Sequence, residues 1–357
     1  MKILSFCWNS NGINLCETIS NAEKEKSRTG VKGVFTQNCD LPDFLPDFIN
    51  LFSREKTEKE KNENPKTRTE TKLPVIDIVC IGFENDPNTG TYFHSNLLPT
   101  RMKDIGYKQV YRDTKIGGKI DTNGYEPGAL RLSVYVKNNI KISEINKKSS
   151  NCWKGTGAIS STFKANGEKI TIINCLIPFN AESIKLSKLK KDPIIRQDSL
   201  NMSNICFNGI IRDMVHKENP NHVIIMGDLN YRIEPLSITA DIMSKCPNFN
   251  DKECIKEYFK FDELHQQMRK NNIYTYLEGE NGEGPTFPPV CNINNKFIKD
   301  SITPSWCNRI LYKSNKMKCC TYDNFNFGEV IHKSKNSAVY AIFSTDGDCE
   351  PKIPPRG

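Results

Sequence analysis

Short apolar runs, each closing on a polar turn, dominate the chain, and their lengths are those of strands rather than helices. Residues 3–8 (ILSFCW) and 75–83 (VIDIVCIGF) are two of them. Residues 130–136 alternate apolar with polar, as a half-buried strand does. Residues 157–163 and 169–176 flank Asn166-Gly167, a strong hairpin signal. Residues 309–313 and 338–343 predict two last strands. Helical spacing is rarer. Leu200, Met202, Ile205, Ile210, Ile211, Met214 and Val215 predict a helix over 198–216, with a second over 259–270 and a short one over 14–22. Hairpins outnumber strand–helix–strand units, so the pattern predicts an α/β (α+β) protein of mixed sheets with few helices, not a Rossmann arrangement.

The stretch 222–233, HVIIMGDLNYRI, carries the candidate chemistry. Val223-Ile224-Ile225-Met226 reads as a fully buried strand that stops at Gly227. Asp228, Asn230, Tyr231 and Arg232 then follow within five residues. An acid, an amide and a guanidinium at the carboxyl end of a buried strand can hold a phosphorylated ligand. An Asx turn explains the same Asp and Asn equally well, so other stretches must decide.

A length of 357 residues admits one large domain or two. The apolar fraction, 37%, is low, and part of the deficit sits in residues 53–72, which hold no large apolar side chain. Such a tract cannot repay its ordering entropy and is expected to be a disordered insert. A net charge of +8 favours anionic partners without choosing among phosphates, nucleic acid and an acidic membrane face. The fourteen cysteines are scattered, with no CxxC pair and one vicinal pair, Cys319-Cys320. Zinc spacing is absent, and Cys7, Cys80 and Cys175 fall inside apolar strands, so the expectation is a reduced, cytoplasmic protein. No signal-peptide pattern, membrane-spanning run or prenylation box is visible.

Four anchors then fall in one order: Trp8-Asn9-Ser10-Asn11-Gly12, the GDLNYRI stretch, Pro304-Ser305-Trp306-Cys307-Asn308-Arg309-Ile310-Leu311, and Ser334 through Phe343. Together they resemble the inositol polyphosphate 5-phosphatase catalytic domain, with signatures WNVNG, GDLNYRI, P(A/S)WCDRIL and SDHKPVYAxF. Weaker matches are Arg196-Gln197-Asp198, Phe261-Asp262-Glu263-Leu264 and Thr286-Phe287-Pro288-Pro289. The resemblance implies a DNase I-like four-layer sandwich over residues 1–345, two mixed β-sheets face to face with helices outside, and a flexible tail over 346–357. It also implies Mg²⁺-dependent removal of a 5-phosphate from inositol phosphates or phosphoinositides by an activated water.

Carried onto this chain, the family pattern puts Asn11 in the metal shell. Asp228 and Asn230 stand beside the water and phosphoryl group, and Tyr231, Arg232 and Arg309 stand at the substrate. Other positions depart from the pattern. The metal-binding Glu falls on Asn85, with Glu84 adjacent. One step along a strand reverses the face, so Glu84 is expected to point away unless the backbone bulges. Leu176 stands for a His, Asn308 for an Asp, and Lys335 and Asn336 for the Asp and His of the last signature. Asn292, beside Cys291, falls where the family grips the 4-phosphate, and Lys154 is what remains of a basic segment. Lys335 puts a positive charge where the pattern is negative, against a bound cation. Residues that support the fold (Trp8, Gly12, Pro304, Trp306, Ile310, Leu311, Val339, Phe343) match.

The expectation is therefore a 5-phosphatase relative with impaired catalysis, a pseudoenzyme serving as a binding or scaffold domain. Expected partners are an inositol phosphate or phosphoinositide head group, a peripheral membrane contact and a protein of unknown identity. One competing reading keeps an active Mg²⁺ phosphatase rewired around Asp228, with Glu84, Asp86 or His94 recruited. Another, a nuclease-like nucleic-acid binder, is disfavoured because Lys and Arg are dispersed among Glu without interleaved aromatics.

Overall fold

The computed structural model describes residues 1–9, 76–86, 97–115, 129–152, 156–178, 193–233, 251–291, 304–325 and 336–349. The expected helix over 14–22, the insert over 53–72, Asn11, His94, Lys154, Asn292 and Lys335 lie outside these residues.

Among the described residues twelve strands form two sheets of six. The first holds β1 (Lys2–Asn9), β2 (Ile78–Asp86), β3 (Tyr107–Lys115), β4 (Ala129–Lys137), β11 (Lys318–Phe325) and β12 (Ala338–Ser344), in the order β11-β12-β1-β2-β4-β3. The second holds β5 (Ile142–Asn151), β6 (Gly157–Ala165), β7 (Glu168–Leu176), β8 (His222–Asp228), β9 (Leu277–Glu278) and β10 (Asn308–Ser314), in the order β5-β6-β7-β8-β10-β9. Both sheets are mixed, because β1–β2 and β7–β8 run parallel while the other pairs run antiparallel.

Alternation along each strand builds three apolar layers. Ile78, Cys80, Ile172, Ile224, Met226 and Ile310 fill the space between the sheets. Leu4, Phe6, Trp8, Val79 and Ile81 face outward with Leu98 and Met102 of α1 (Leu97–Asp104). On the far side Ile173, Val223, Ile225 and Leu311 pack with Phe207, Ile210 and Ile211 of α2 (Pro193–Ile211). These are the four layers of the DNase I-like sandwich.

The β6–β7 hairpin turns on Asn166 and Gly167, both at positive φ (50° and 89°), as a two-residue turn requires. The helix expected over 259–270 is broken. α3 (Lys252–Phe259) ends, and α4 (Glu263–Arg269) starts anew with Asp262 as its N-cap, accepting from the His265 backbone. The opposite carboxylate oxygen of Asp262 pairs with Arg309, so a tertiary contact sets the break. The tail expected to be flexible from 346 is tied further along, since a disulfide joins Cys349 to Cys320.

Candidate active site

Asp228 is the last residue of β8, and the register sets it between Leu176 of β7 and Asn308 of β10. Gly227 before it has φ 131°, and a Cβ there would stand 2.0 Å from the Cys175 carbonyl oxygen. Only glycine lets β7 come this close at the strand's end. Asp228 is buried, and its Oδ1 accepts from the Asn230 backbone N–H at 3.0 Å. Its Oδ2 accepts from Asn9 Nδ2 of β1 at 2.5 Å, across the gap between the sheets. Burial pushes the Asp228 pKa up, and Arg232, Asn9 and Asn230 offset part of that.

Glu84 is fully buried on the same inner face. Ile78 and Cys80 point into the inter-sheet core, Gly82 faces the Asn174 side chain, and Glu84 continues the alternation. Glu84 thus faces inward, the outcome the expectation allowed for where the backbone bulges. The β2–β4 ladder is irregular between Phe83 and Asp86, a span that includes Glu84 and Asn85. Burial pushes the Glu84 pKa well up, repulsion from Asp228 adds to it, and Asn174 offsets part. Asn174 also donates to the Phe83 and Arg131 carbonyls, stitching the sheets beside the acid. Asn85 lies in β2, and its side chain is outside what the structure describes.

Asn230 (φ 53°) donates to the Ile177 carbonyl and accepts from Arg232 Nη2 at 3.0 Å. Arg232 is thereby held beside Asp228, its Nη1 also 3.2 Å from Cys291 Sγ. Asn336 lies at the same mouth, donating to the Asn9 carbonyl while accepting from Trp8 Nε1 through its own backbone oxygen. Asn308 donates to the Ser337 carbonyl at 3.3 Å.

Tyr231 and Arg309, expected at the substrate, are buried elsewhere. Tyr231 packs in the layer under α2, and its hydroxyl donates to Asn204. Arg309 neighbours Asn308 on β10, so its side chain leaves by the opposite face from Asp228. It is fully buried, pairing with Asp262 and with Glu278 at 2.9 Å, while Tyr322 and His265 also bond Glu278. Burial would push the Glu278 pKa up, but Arg309, His265 and Tyr322 bring it down to about 2. The ion pairs hold Arg309 above its ordinary value against burial. This arginine locks α4 and β9 onto the sheet and does not face a ligand.

The cysteines also differ from expectation. Cys152–Cys206, Cys291–Cys307 and Cys320–Cys349 are disulfides among the described residues, while Cys7, Cys80 and Cys175 are buried thiols. Sequence separations of 54, 16 and 29 hide these pairings from any local spacing rule.

Among the described residues Glu84 and Asp228 are the two carboxyl groups of the mouth. Their hard oxygen donors suit a magnesium ion in type and charge. Among the described residues no group of three or more His, Cys, Asp or Glu is placed to hold a metal.

Residues 54–340 match the family model of the endonuclease/exonuclease/phosphatase family 2. The chain belongs to that family. Within it, the chain is similar to phosphatidylinositol 3,4,5-trisphosphate 5-phosphatase 1 of Xenopus laevis, 24% identical over 85% of this chain and 30% of the relative. The type II inositol polyphosphate 5-phosphatase 15 of Arabidopsis thaliana is 27% identical over 36% of this chain and 12% of its own length. The chain thus spans less than a third of these curated relatives. Among solved structures, the inositol polyphosphate 5-phosphatase domain of SPsynaptojanin, bound to inositol (1,4)-bisphosphate and calcium, has TM-score 0.56 at 15% identity, covering 96% of this chain and 83% of that one. A Cimex nitrophorin, solved as a ferrous NO complex, has TM-score 0.55 at 14% identity, covering 96% and 97%. The fold is confirmed as DNase I-like, and neighbours this different leave function to the site.

Proposed function

We propose that this domain binds a phosphorylated inositol head group at the Asp228 mouth and hydrolyses it poorly, acting as a binding or scaffold domain. The supporting observation is the row Leu176–Asp228–Asn308: an apolar and a neutral amide side chain flank the acid in register. Neither can take a proton from water at neutral pH. Arg232, held by Asn230, supplies the guanidinium for a phosphate. The names of the relatives make phosphoinositides the first ligands to try. A peripheral membrane contact and a protein partner belong to the same proposal, and nucleic acid does not.

A second reading, an active Mg²⁺ phosphatase, draws support from Glu84 facing Asp228. Magnesium held by these carboxylates would polarise a phosphoryl oxygen. The deciding experiment follows phosphate release from phosphatidylinositol 4,5-bisphosphate and inositol 1,4,5-trisphosphate with Mg²⁺, beside an Asp228→Ala control, with calorimetric binding in parallel. Binding without release above the control supports the first reading. Release well above it establishes the second. Neither binding nor release sinks both.

A cytoplasmic location belongs to the same proposal, and free-thiol titration of protein from its native source tests it. Reduced cysteines support it, whereas intact Cys152–Cys206, Cys291–Cys307 and Cys320–Cys349 bonds would point to an oxidising compartment.

A further inference from the structure

A second cleft lies at the other end of β8. His222 opens the strand that Asp228 closes, so the two ends stand roughly 20 Å apart. The cleft encloses about 500 Å³, within the range of small-ligand pockets. Its walls include Glu168, His216, His222, Tyr274, Tyr276 and Lys313, with Lys316 at the rim.

His222 is 1% exposed, and its tautomer follows from its neighbours. Ser314 Oγ accepts from the Lys316 and Met317 backbone N–H groups at 3.0 and 2.8 Å. With both lone pairs engaged, the hydroxyl proton goes to His222 Nδ1, 2.8 Å away. The ring proton of the neutral imidazole therefore sits on Nε2. Burial lowers the His222 pKa, which keeps the ring neutral.

Nε2–H is a buried donor with no acceptor at hydrogen-bond distance. The Glu168 carboxylate stands over it, with one oxygen 3.7 Å from Nε2 and the other 3.8 Å from Lys316 Nζ. Both distances exceed a hydrogen bond, so the carboxylate fills the place between two donors without satisfying either. Glu168 is 35% exposed and can rotate outward. In the same cleft His216 and Tyr274 meet edge to face at 4.7 Å, with Tyr274 38% exposed, and Lys313 lies over the Tyr276 ring. Two ammonium groups against one carboxylate leave one net positive charge.

We propose that this cleft is a binding site for a small aromatic anion, whose charged oxygen replaces the Glu168 carboxylate between His222 and Lys316 while its ring lies against Tyr274. A buried donor aimed at an anion, exposed aromatic surface and an excess cation meet in one cleft, and the phosphate-binding mouth uses none of them.

The test titrates the full chain with phenyl phosphate, and with inorganic phosphate as the charge-only probe. The readouts are the affinity and the His222 side-chain resonances. The expected result is saturable phenyl phosphate binding at least about tenfold tighter than inorganic phosphate. It should shift the Nε2–H resonance, strengthen in Glu168→Gln and weaken about tenfold in Tyr274→Ala and in Lys316→Ala. All three substitutions are on exposed or part-exposed side chains, so loss of fold does not confuse the result. Equal binding of the two probes, no saturable binding, or indifference to the Glu168 and Tyr274 variants overturns the proposal.

Discussion

Asn9 at the end of β1 donates to Asp228 at the end of β8 at 2.5 Å, joining the two sheets at the mouth of the site. The amide is the side-chain donor to a buried carboxylate whose other oxygen is served by backbone. Replacing it by leucine leaves that oxygen without its donor, at a cost of about 1–3 kcal/mol near neutral pH. Urea midpoints should show the loss at pH 7 and a smaller one at pH 4, where Asp228 is closer to protonated. An equal loss at both pH values would mean that Asn9 acts through packing alone.

Glu84 and Asp228 predict a pH dependence of the opposite sense to most carboxylates. Both are raised in the folded state, chiefly by burial and, for Glu84, by repulsion from Asp228. Their contribution is fully present below the unfolded carboxylate values, near 4, and is lost as pH rises through the raised folded values. Glu84→Gln should therefore flatten the decline of stability above pH 4 and raise the melting temperature at pH 7. Millimolar Mg²⁺ should raise the wild-type melting temperature and leave the Glu84→Gln, Asp228→Asn double variant unmoved. A magnesium response that survives in the double variant places the cation elsewhere.

Arg309 predicts a large effect on stability. Arg309→Met leaves Asp262 and Glu278 buried without their cation, which costs about 3–5 kcal/mol. In the wild type Glu278, lowered to about 2, contributes stability that is present above the unfolded value and is lost as pH falls through about 2. The variant should lose that acid-side slope. Head-group affinity, measured on protein that remains folded, should not change, and a large loss of affinity would return Arg309 to the binding site.

Restoring the family's residues tests the assignment of impairment. Leu176→His, Asn308→Asp and Asn336→His rebuild titratable groups near Asp228, and Lys335→Asp restores the remaining acid of the family pattern. Phosphate release should rise by about 10²–10⁴ with Mg²⁺ present. The added acids should also lower stability at pH 7 in its absence, by repulsion with Glu84 and Asp228. A restored chain that folds and stays silent would show that the missing groups lie in other segments.

The eight strands visible as apolar or alternating runs are β1, β2, β4, β6, β7, β8, β10 and β12, and all eight are interior to their sheets. The four that the pattern does not reveal are β3, β5, β9 and β11, and these are the four edges. An interior strand is packed and paired on both sides, so its composition must be apolar. An edge strand has a partner on one side only, and β5 (ISEINKKSSN) is largely exposed. Asp228, Asn230 and Arg232 were likewise legible, because one stretch of chain carries them from strand to turn.

What contact across the sandwich decides is a different set. Glu84 and Asn9 become site residues only when two sheets, 219 residues apart along the chain at Asn9 and Asp228, are brought face to face. Alternation from Ile78 through Gly82 held the signal for Glu84, but the motif's alignment pointed to its neighbour. Arg309 and Tyr231 sit inside site motifs yet turn into packed layers, because strand parity and tertiary partners set where a side chain goes. The sequence alone determines which segments must be buried and which turns end them. Pairing, register and facing then determine which polar groups meet, because those encounters depend on distances that no local pattern encodes.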